Sequence, residues 1–234
     1  MGQTPAPSLL LFARAPEPGR VKTRLSPALG AAGAARLYRA FLQDAARAYG
    51  PPAPWSAVLC ADPDPHAPPF PALFRAPWRR RRQQGGDLGA RLAAAFREEF
   101  SAGVWAAAAV GSDHPALPRR RLEEVFERLS AGVPAAVIPA ADGGYCAIGL
   151  RREAPAQEVF RDIPWSSPDV LDATVTRLSG AAAEVAVLAP SFDVDRPEDL
   201  ATLRADIQSR DPAEADFPRA TAAVLRGLAG EISS

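Results

Sequence analysis

Residues 8–25 read Ser8-Leu-Leu-Leu-Phe-Ala-Arg-Ala-Pro-Glu-Pro-Gly-Arg-Val-Lys-Thr-Arg-Leu25. From Leu9 to Ala13 the chain is continuously apolar, and the run is short. That predicts a strand buried on both faces, as in a parallel sheet. The strand exits into a loop holding two prolines, Gly19 and four cations: Arg14, Arg20, Lys22 and Arg24. In open α/β sheets, ligands sit beyond the carboxyl ends of the strands. A basic glycine loop at that place has the means to bind phosphate, because backbone N–H groups and point charges converge there. It is not a Walker A loop, since GxxxxGK[ST] is absent. A solvated basic turn is the plain alternative.

Outward from this strand, helical and strand patterns alternate. Leu37, Tyr38, Phe41 and Leu42 predict a helix over 31–49, and Trp55–Ala61 a second strand. Repeated proline makes 62–77 a loop or edge segment, and Arg79–Arg82 reads as a solvated basic run. A helix over 88–100 carries Leu92, Ala95, Phe96 and Phe100 on one face. Strands follow at 104–110 and 134–140, with a helix over 118–130 between them. Tyr145–Leu150, after a Gly-Gly turn, is a further strand candidate. A helix over 169–179, a strand over 185–188, a helix opening at Pro197-Glu-Asp199 and a last helix over 218–228 complete the pattern. Acidic residues at 198–199 suit a helix N-terminus. The expected fold is α/β: one Rossmann-like domain with a mostly parallel central sheet and helices on both faces.

The bulk numbers agree with one domain. The chain has 234 residues, 47% of them apolar, enough for a sizeable core. Basic and acidic residues number 27 each. Zero net charge gives no general attraction to nucleic acid or anionic membranes, so any anion site must be local. Arginine and alanine are abundant, as in GC-rich genomes, and against that background Lys22 is the only lysine. Cys60 and Cys146, far apart and without CxxC, make a poor zinc site and read as buried thiols of a reducing compartment. The apolar run at 9–13 is too short for a signal segment or a membrane span, and no later segment is long enough. The expected location is the cytoplasm.

Further segments carry chemistry by position. Gln84-Gly-Gly-Asp87 precedes a helix: Gly85 and Gly86 permit close backbone approach to a ligand, and Asp87 stands where an N-cap belongs. In Gly111-Ser-Asp-His-Pro115, Asp113 follows a buried strand and is placed to hold Mg²⁺ or Mn²⁺, with His114 as a loop residue. Asp193-Val-Asp195 also lies between a strand and a helix, and capping is the rival role for Asp195. Asp142, before two glycines, is a candidate base for an acceptor hydroxyl. Tyr145, Trp165 and Ser166 are candidates to line an acceptor pocket, with a core or turn role as the alternative.

In order, FARAPEPGRVKTRL, QGGDLGARL, GSDHPAL, ADGGYCAIGL, PWSSPDVL and FDVDRPEDL resemble the successive blocks of the bacterial GT-A-like glycosyltransferases of arsenosugar biosynthesis. The resemblance runs over roughly residues 8–205, leaving 206–234 as a C-terminal helical extension. It implies a nucleotide-diphospho-sugar transferase fold, related also to small guanylyltransferases. Carried over, Arg14, Gly19, Lys22 and Arg24 match the nucleotide-phosphate loop, and Gln84–Asp87 the second nucleotide-side block. Asp113 matches the metal-binding aspartate and Asp195 the later metal-side one. One departure stands out: glycosyltransferases of this fold carry Asp-x-Asp, whereas this chain has Gly111-Ser-Asp113, closer to the nucleotidyltransferase branch.

Three readings follow. The first is metal-dependent glycosyl transfer from a nucleotide sugar to a small-molecule acceptor, with Lys22 and Arg24 stabilising the leaving diphosphate. The second is nucleotidyl transfer, in which a phosphorylated metabolite attacks a nucleoside triphosphate and pyrophosphate leaves. The third is a non-catalytic nucleotide-sugar sensor of the same fold.

Overall fold

The computed structural model describes residues 5–180 and 184–232, with side chains described to residue 228. Its centre is a seven-stranded sheet. The strands are β1 (Ser8–Arg14), β2 (Ser56–Asp62), β3 (Arg79–Arg82), β4 (Ala106–Gly111), β5 (Ala135–Pro139), β6 (Tyr145–Arg151) and β7 (Val185–Val187). Their order across the sheet is β3-β2-β1-β4-β6-β5-β7. Only β6 runs against its neighbours, β4 and β5; every other pairing is parallel. The reversal comes from the Asp142-Gly-Gly144 turn, which folds β6 back beside β5.

The helices are α1 (Ser26–Ala48), α2 (Phe70–Leu73), α3 (Leu88–Ser101), α4 (Arg119–Ser130), α5 (Ala156–Val159), α6 (Val170–Gly180), α7 (Asp199–Ser209) and α8 (Arg219–Ile232). Strand alternation assigns the two faces of the sheet. Leu9, Leu11, Leu59, Ala108 and Val110 point into one core, shared with Phe41 of α1, Leu122 of α4, Leu203 of α7 and Leu225 of α8. Leu10, Val58, Cys60 and Ala107 point into the other, against Phe96 of α3, Val159 of α5 and Leu178 of α6. The layered α/β architecture expected from the sequence is thus present.

Several local expectations change. Arg79–Arg82 is an edge strand, not a free basic run. Two of its four charges are matched: Arg79 Nη2 lies 2.6 Å from Glu99 Oε2, and Arg81 Nη1 lies 2.9 Å from Glu98 Oε2. Ser8 donates to the same buried Glu99. Burial works against ionisation of Glu99, but Arg79, Ser8 and Arg81 outweigh it and hold the carboxyl below its usual range. The proline-rich segment 62–77 is also more than a loop, because Phe70 and Phe74 within it are fully buried. Helix α1 breaks at Gly30 (φ 66°, ψ 161°), so its long regular part begins near the predicted start.

The C-terminal helix is tied to α1. Asp44, buried in α1, accepts from the N–H groups of Ala220 (3.0 Å) and Thr221 (2.8 Å), capping α8 across 177 residues of chain. Arg47 reaches the carbonyl of Phe217 just before it.

Candidate active site

The carboxyl ends of β1, β3 and β4 open on one cleft of about 690 Å³. The β1 loop enters it through a chain reversal: Glu17 N donates to Ala15 O and Arg20 N to Glu17 O. Lys22 then adopts left-handed backbone (φ 47°, ψ 41°). That conformation is uncommon for a residue with a side chain and concentrates at functional sites. It directs the ammonium inward. Lys22 is 8% exposed, and its Nζ lies 2.8 Å from Asp113 Oδ1 and 3.7 Å from Asp195 Oδ1. Arg24 Nη1 contacts the other oxygen of Asp195 at 2.6 Å. Burial opposes ionisation of Asp113, yet the Lys22 ammonium beside it holds the carboxyl below its ordinary range.

Asp113 and Asp195 meet because the segment after β7 runs back over the sheet. Leu188 N donates to Val137 O, Ser191 N to Pro139 O, and Val194 N to Asp113 O at 3.0 Å. The Asp195 side chain caps no helix: α7 begins at Asp199 with Glu198 before it, and Asp199 Oδ2 turns back to accept from the N–H of Asp195 (2.8 Å) and of Arg196 (2.6 Å). The Asp195 carboxylate is left to the cleft. His114 is not an open loop residue. It is buried, its Nδ1 sits 3.2 Å from Phe192 O, and burial lowers its basicity. The ring clamps the returning segment.

On the opposite wall, Asp87 caps α3 by accepting from Ala90 N at 2.8 Å, and Gly86 lies beside it in the cleft lining. Arg14 and Arg20 line the cleft at its outer rim, as does Ser166. Gly19, Gln84, Gly85, Asp142, Tyr145 and Trp165 are not among the lining residues. Gly85 still buttresses the wall, its carbonyl accepting from Arg91 Nε at 3.2 Å. Asp142 folds on its own turn, accepting from Gly144 N at 3.0 Å. Tyr145 and Trp165 pack edge to face, 6.3 Å apart, against the core under α3. Their packing is the core alternative considered above.

Five contributors had no individual role in the sequence, although Gln83, Arg91 and Ser112 lie within its candidate segments. Gln83 Nε2 bridges the carbonyls of Ala13 (3.2 Å) and Cys60 (2.9 Å), pinning the ends of β1 and β2. Arg91 Nη1 binds both Asp62 Oδ2 (3.0 Å) and Gln83 Oε1 (3.1 Å). Tyr38 and Ser112 join beneath the β1 and β4 loops. Burial first, and the Asp113 charge second, push the Tyr38 phenol above its usual range. Position after a strand was the available signal for Ser112 and Asp62; Tyr38 carried none beyond a core helix pattern.

A divalent ion has two protein carboxylates here, Asp113 and Asp195. No group of three His, Cys, Asp or Glu side chains converges among the described residues. Mg²⁺ suits such a site, since it is commonly held by one or two carboxylates with water and substrate phosphates completing the shell. Lys22 bridges both carboxylates, so the donor set fits with the ammonium as a neighbour and competitor of the ion.

Comparison with known proteins agrees with the architecture. No curated protein matches the chain. A protein of Desulfovibrio desulfuricans G20, bearing the inferred name nucleotide-diphospho-sugar transferase, is 33% identical, covering 96% of this chain and 98% of that one with a TM-score of 0.84. Two further structures share the fold alone. One is a cytidylyltransferase of Leptospira borgpetersenii serovar Hardjo-bovis (11% identical, 98% and 96% covered, TM-score 0.56). The other is 4-diphosphocytidyl-2C-methyl-D-erythritol synthase of Anaerococcus prevotii (10%, 88% and 100%, TM-score 0.57). The chain therefore has the fold found in these nucleotide-diphospho-sugar transferase and cytidylyltransferase structures. The model of a family described as uncharacterized protein conserved in bacteria (DUF2064) matches residues 45–167, more than half the chain, and to that family the chain belongs.

Proposed function

We propose that this protein is a metal-dependent glycosyltransferase that moves a sugar from a nucleotide-diphosphate donor to a small acceptor. The observation that carries the reading is the meeting of Lys22, Asp113 and Asp195 on the floor of a cleft rimmed by Arg14, Arg20 and Arg24. A divalent ion, Mg²⁺ or Mn²⁺, held by Asp113 and Asp195 would supply charge neutralisation to the departing diphosphate. Lys22, enclosed beside the same carboxylates, would turn to the phosphates and stabilise the same developing charge. Arg24 and Arg14 orient the phosphates from the rim. Backbone at Gly86 allows the nucleotide to approach the α3 wall closely. Ser166, across the cleft, faces the acceptor side. Asp142, exposed on the adjoining turn, serves as base toward an acceptor reaching past the diphosphate. The blocks that resemble those of arsenosugar-biosynthesis glycosyltransferases support a small-molecule acceptor. Two buried free thiols support residence in the reducing cytoplasm; among the described residues, no helix is long and apolar enough to cross a membrane.

A specific observation favours nucleotidyl transfer as the second reading. A side chain at Gly111, the first position of an Asp-x-Asp, would bring its Cβ to 3.2 Å from His114 Nε2. That contact is tight, and with Gly111 in place the β4 loop offers the one carboxylate of Asp113, beside which the single Lys22 would grip a triphosphate.

Thermal stabilisation by nucleotides and nucleotide sugars with Mg²⁺ or Mn²⁺ separates the readings, because ligands of the native state raise its stability by mass action. Preference for a nucleotide sugar, with sugar transfer to an acceptor, supports the first. Preference for a nucleoside triphosphate with pyrophosphate release supports the second. Asp113→Ala should abolish metal-dependent stabilisation while the protein stays folded. Retention of it in that variant would remove Asp113 from the site.

A further inference from the structure

Two buried hydroxyls lie directly beneath the cluster. Tyr38 is 3% exposed and Ser112 6% exposed, and both line the cleft. The Tyr38 oxygen accepts the backbone N–H of Arg14 at 3.0 Å and stands 2.7 Å from Ser112 Oγ. One helix residue thereby joins the loop that carries Lys22 to the loop that carries Asp113.

Hydrogen accounting orients this chain. Each hydroxyl has one hydrogen to donate. If Ser112 donated to Tyr38, the phenol, which already accepts from Arg14 N–H, would accept twice while its own hydrogen had no acceptor among the described residues. The phenol therefore donates to Ser112 Oγ. The hydrogen of Ser112 is then the one without an acceptor among the described residues, and Ser112 belongs to the cleft floor beside Asp113.

We propose that Ser112 Oγ is a phosphate-binding hydroxyl of this cleft, donating to an anionic oxygen of the ligand's diphosphate, and that Tyr38 is the positioning residue that fixes the direction of that donation. The assignment rests on the cleft being a nucleotide-diphosphate site, as proposed above. It accounts for a polar chain, Arg14 N–H to Tyr38 to Ser112, that otherwise ends on an unanswered donor. It also couples the ligand to the main chain of β1 and the side chain of α1 through consecutive hydrogen bonds.

The test is titration calorimetry at saturating Mg²⁺ with GDP, UDP, CDP, ADP and inorganic pyrophosphate, continued with the probe that the wild-type protein binds most tightly. Ser112→Ala should weaken that probe about tenfold, as expected for losing a hydrogen bond to a charged group. Tyr38→Phe, which keeps the ring, should weaken it severalfold. The double variant should bind no more weakly than Ser112→Ala alone, because both act through one hydrogen bond. Ligand-free melting temperatures are measured in parallel. Variants that lose thermal stability while keeping wild-type affinity would show a purely structural pair and overturn the proposal. If Asp113→Ala loses the probe but Ser112→Ala does not, the Ser112 assignment falls and the cleft's function stands. If Tyr38→Phe weakens binding equally with and without Ser112, its positioning role falls. If the wild-type protein binds none of the probes, both the assignment and the function beneath it are wrong.

Discussion

Replacing Lys22 by Met should move two affinities in opposite directions. The ammonium stands 2.8 Å from Asp113 and 3.7 Å from Asp195. In a water-like dielectric, unit charges at these separations interact by roughly 1–1.5 kcal/mol each. The side chains of Asp113 and Asp195 are 47% and 34% exposed, so solvent screening argues for that weak limit. Net of the ammonium's own desolvation, Lys22→Met should cost about 1–2 kcal/mol of stability, a drop of about 2–8 °C in Tm. Two carboxylates then face each other without their shared cation. Mn²⁺ alone should bind more tightly than to the wild type, because the ion no longer competes with an ammonium. A nucleotide added at saturating Mn²⁺ should bind at least about tenfold more weakly, since a charge-assisted contact to phosphate is lost. Lys22→Arg should not rescue nucleotide binding, because a planar fork does not fit where the side chain is almost wholly enclosed. Titration calorimetry with MnCl₂, before and after nucleotide, reads both affinities. If they fall together, Lys22 does not share its carboxylates with the ion, and the site as described is refuted.

Other consequences are simpler to state. Asp113 and Glu99 both ionise more readily in the folded protein than at their ordinary values of 3.8 and 4.5. The unfolded chain thus binds more protons in acid, so stability is full above about pH 5 and declines as pH falls through 4 and below; a urea midpoint unchanged between pH 6 and pH 3 would contradict this. Asp44→Ala leaves two N–H groups at the start of α8, one buried and one part-buried, without their acceptor and should cost about 2–3 kcal/mol in urea unfolding. Gly143→Ala places a Cβ 2.1 Å from the carbonyl oxygen of Pro168 at a φ of 88°, and should cost about 2–4 kcal/mol by the same measurement.

Much of this molecule was legible in its primary structure, for identifiable reasons. Strands such as Leu9–Ala13 and Ala106–Val110 announce themselves because both their faces are buried, which demands apolar residues at every position. Asp113 was legible as a site candidate because it comes just after β4, and Asp195 because it lies in the segment between β7 and α7, which the fold returns to the same rim. The arginine strand β3 was not, since Arg79 and Arg81 are answered by Glu99 and Glu98 on a helix 17–20 residues away, a pairing that local pattern does not encode. Tyr145 and Trp165 looked like pocket residues by composition, but aromatic rings serve packing and recognition equally well, and only the third dimension distinguishes the two. Tyr38 shows the converse: its spacing marks a core helix, and nothing local reveals that its hydroxyl meets the backbone of one loop and the serine of another.

The cap that Asp44 provides to α8 has a consequence for biosynthesis. Its partners, Ala220 and Thr221, leave the ribosome some 177 residues later, roughly 9 to 35 seconds at about 5–20 residues per second. Throughout that interval the nascent α1 holds a carboxylate whose final acceptor role is unfilled, on the same helix whose Tyr38 anchors the β1 loop. Completion of the N-terminal half is thus scheduled by the arrival of a distant segment, and a ribosome stalled before residue 220 would display the loop sequence without its finished scaffold.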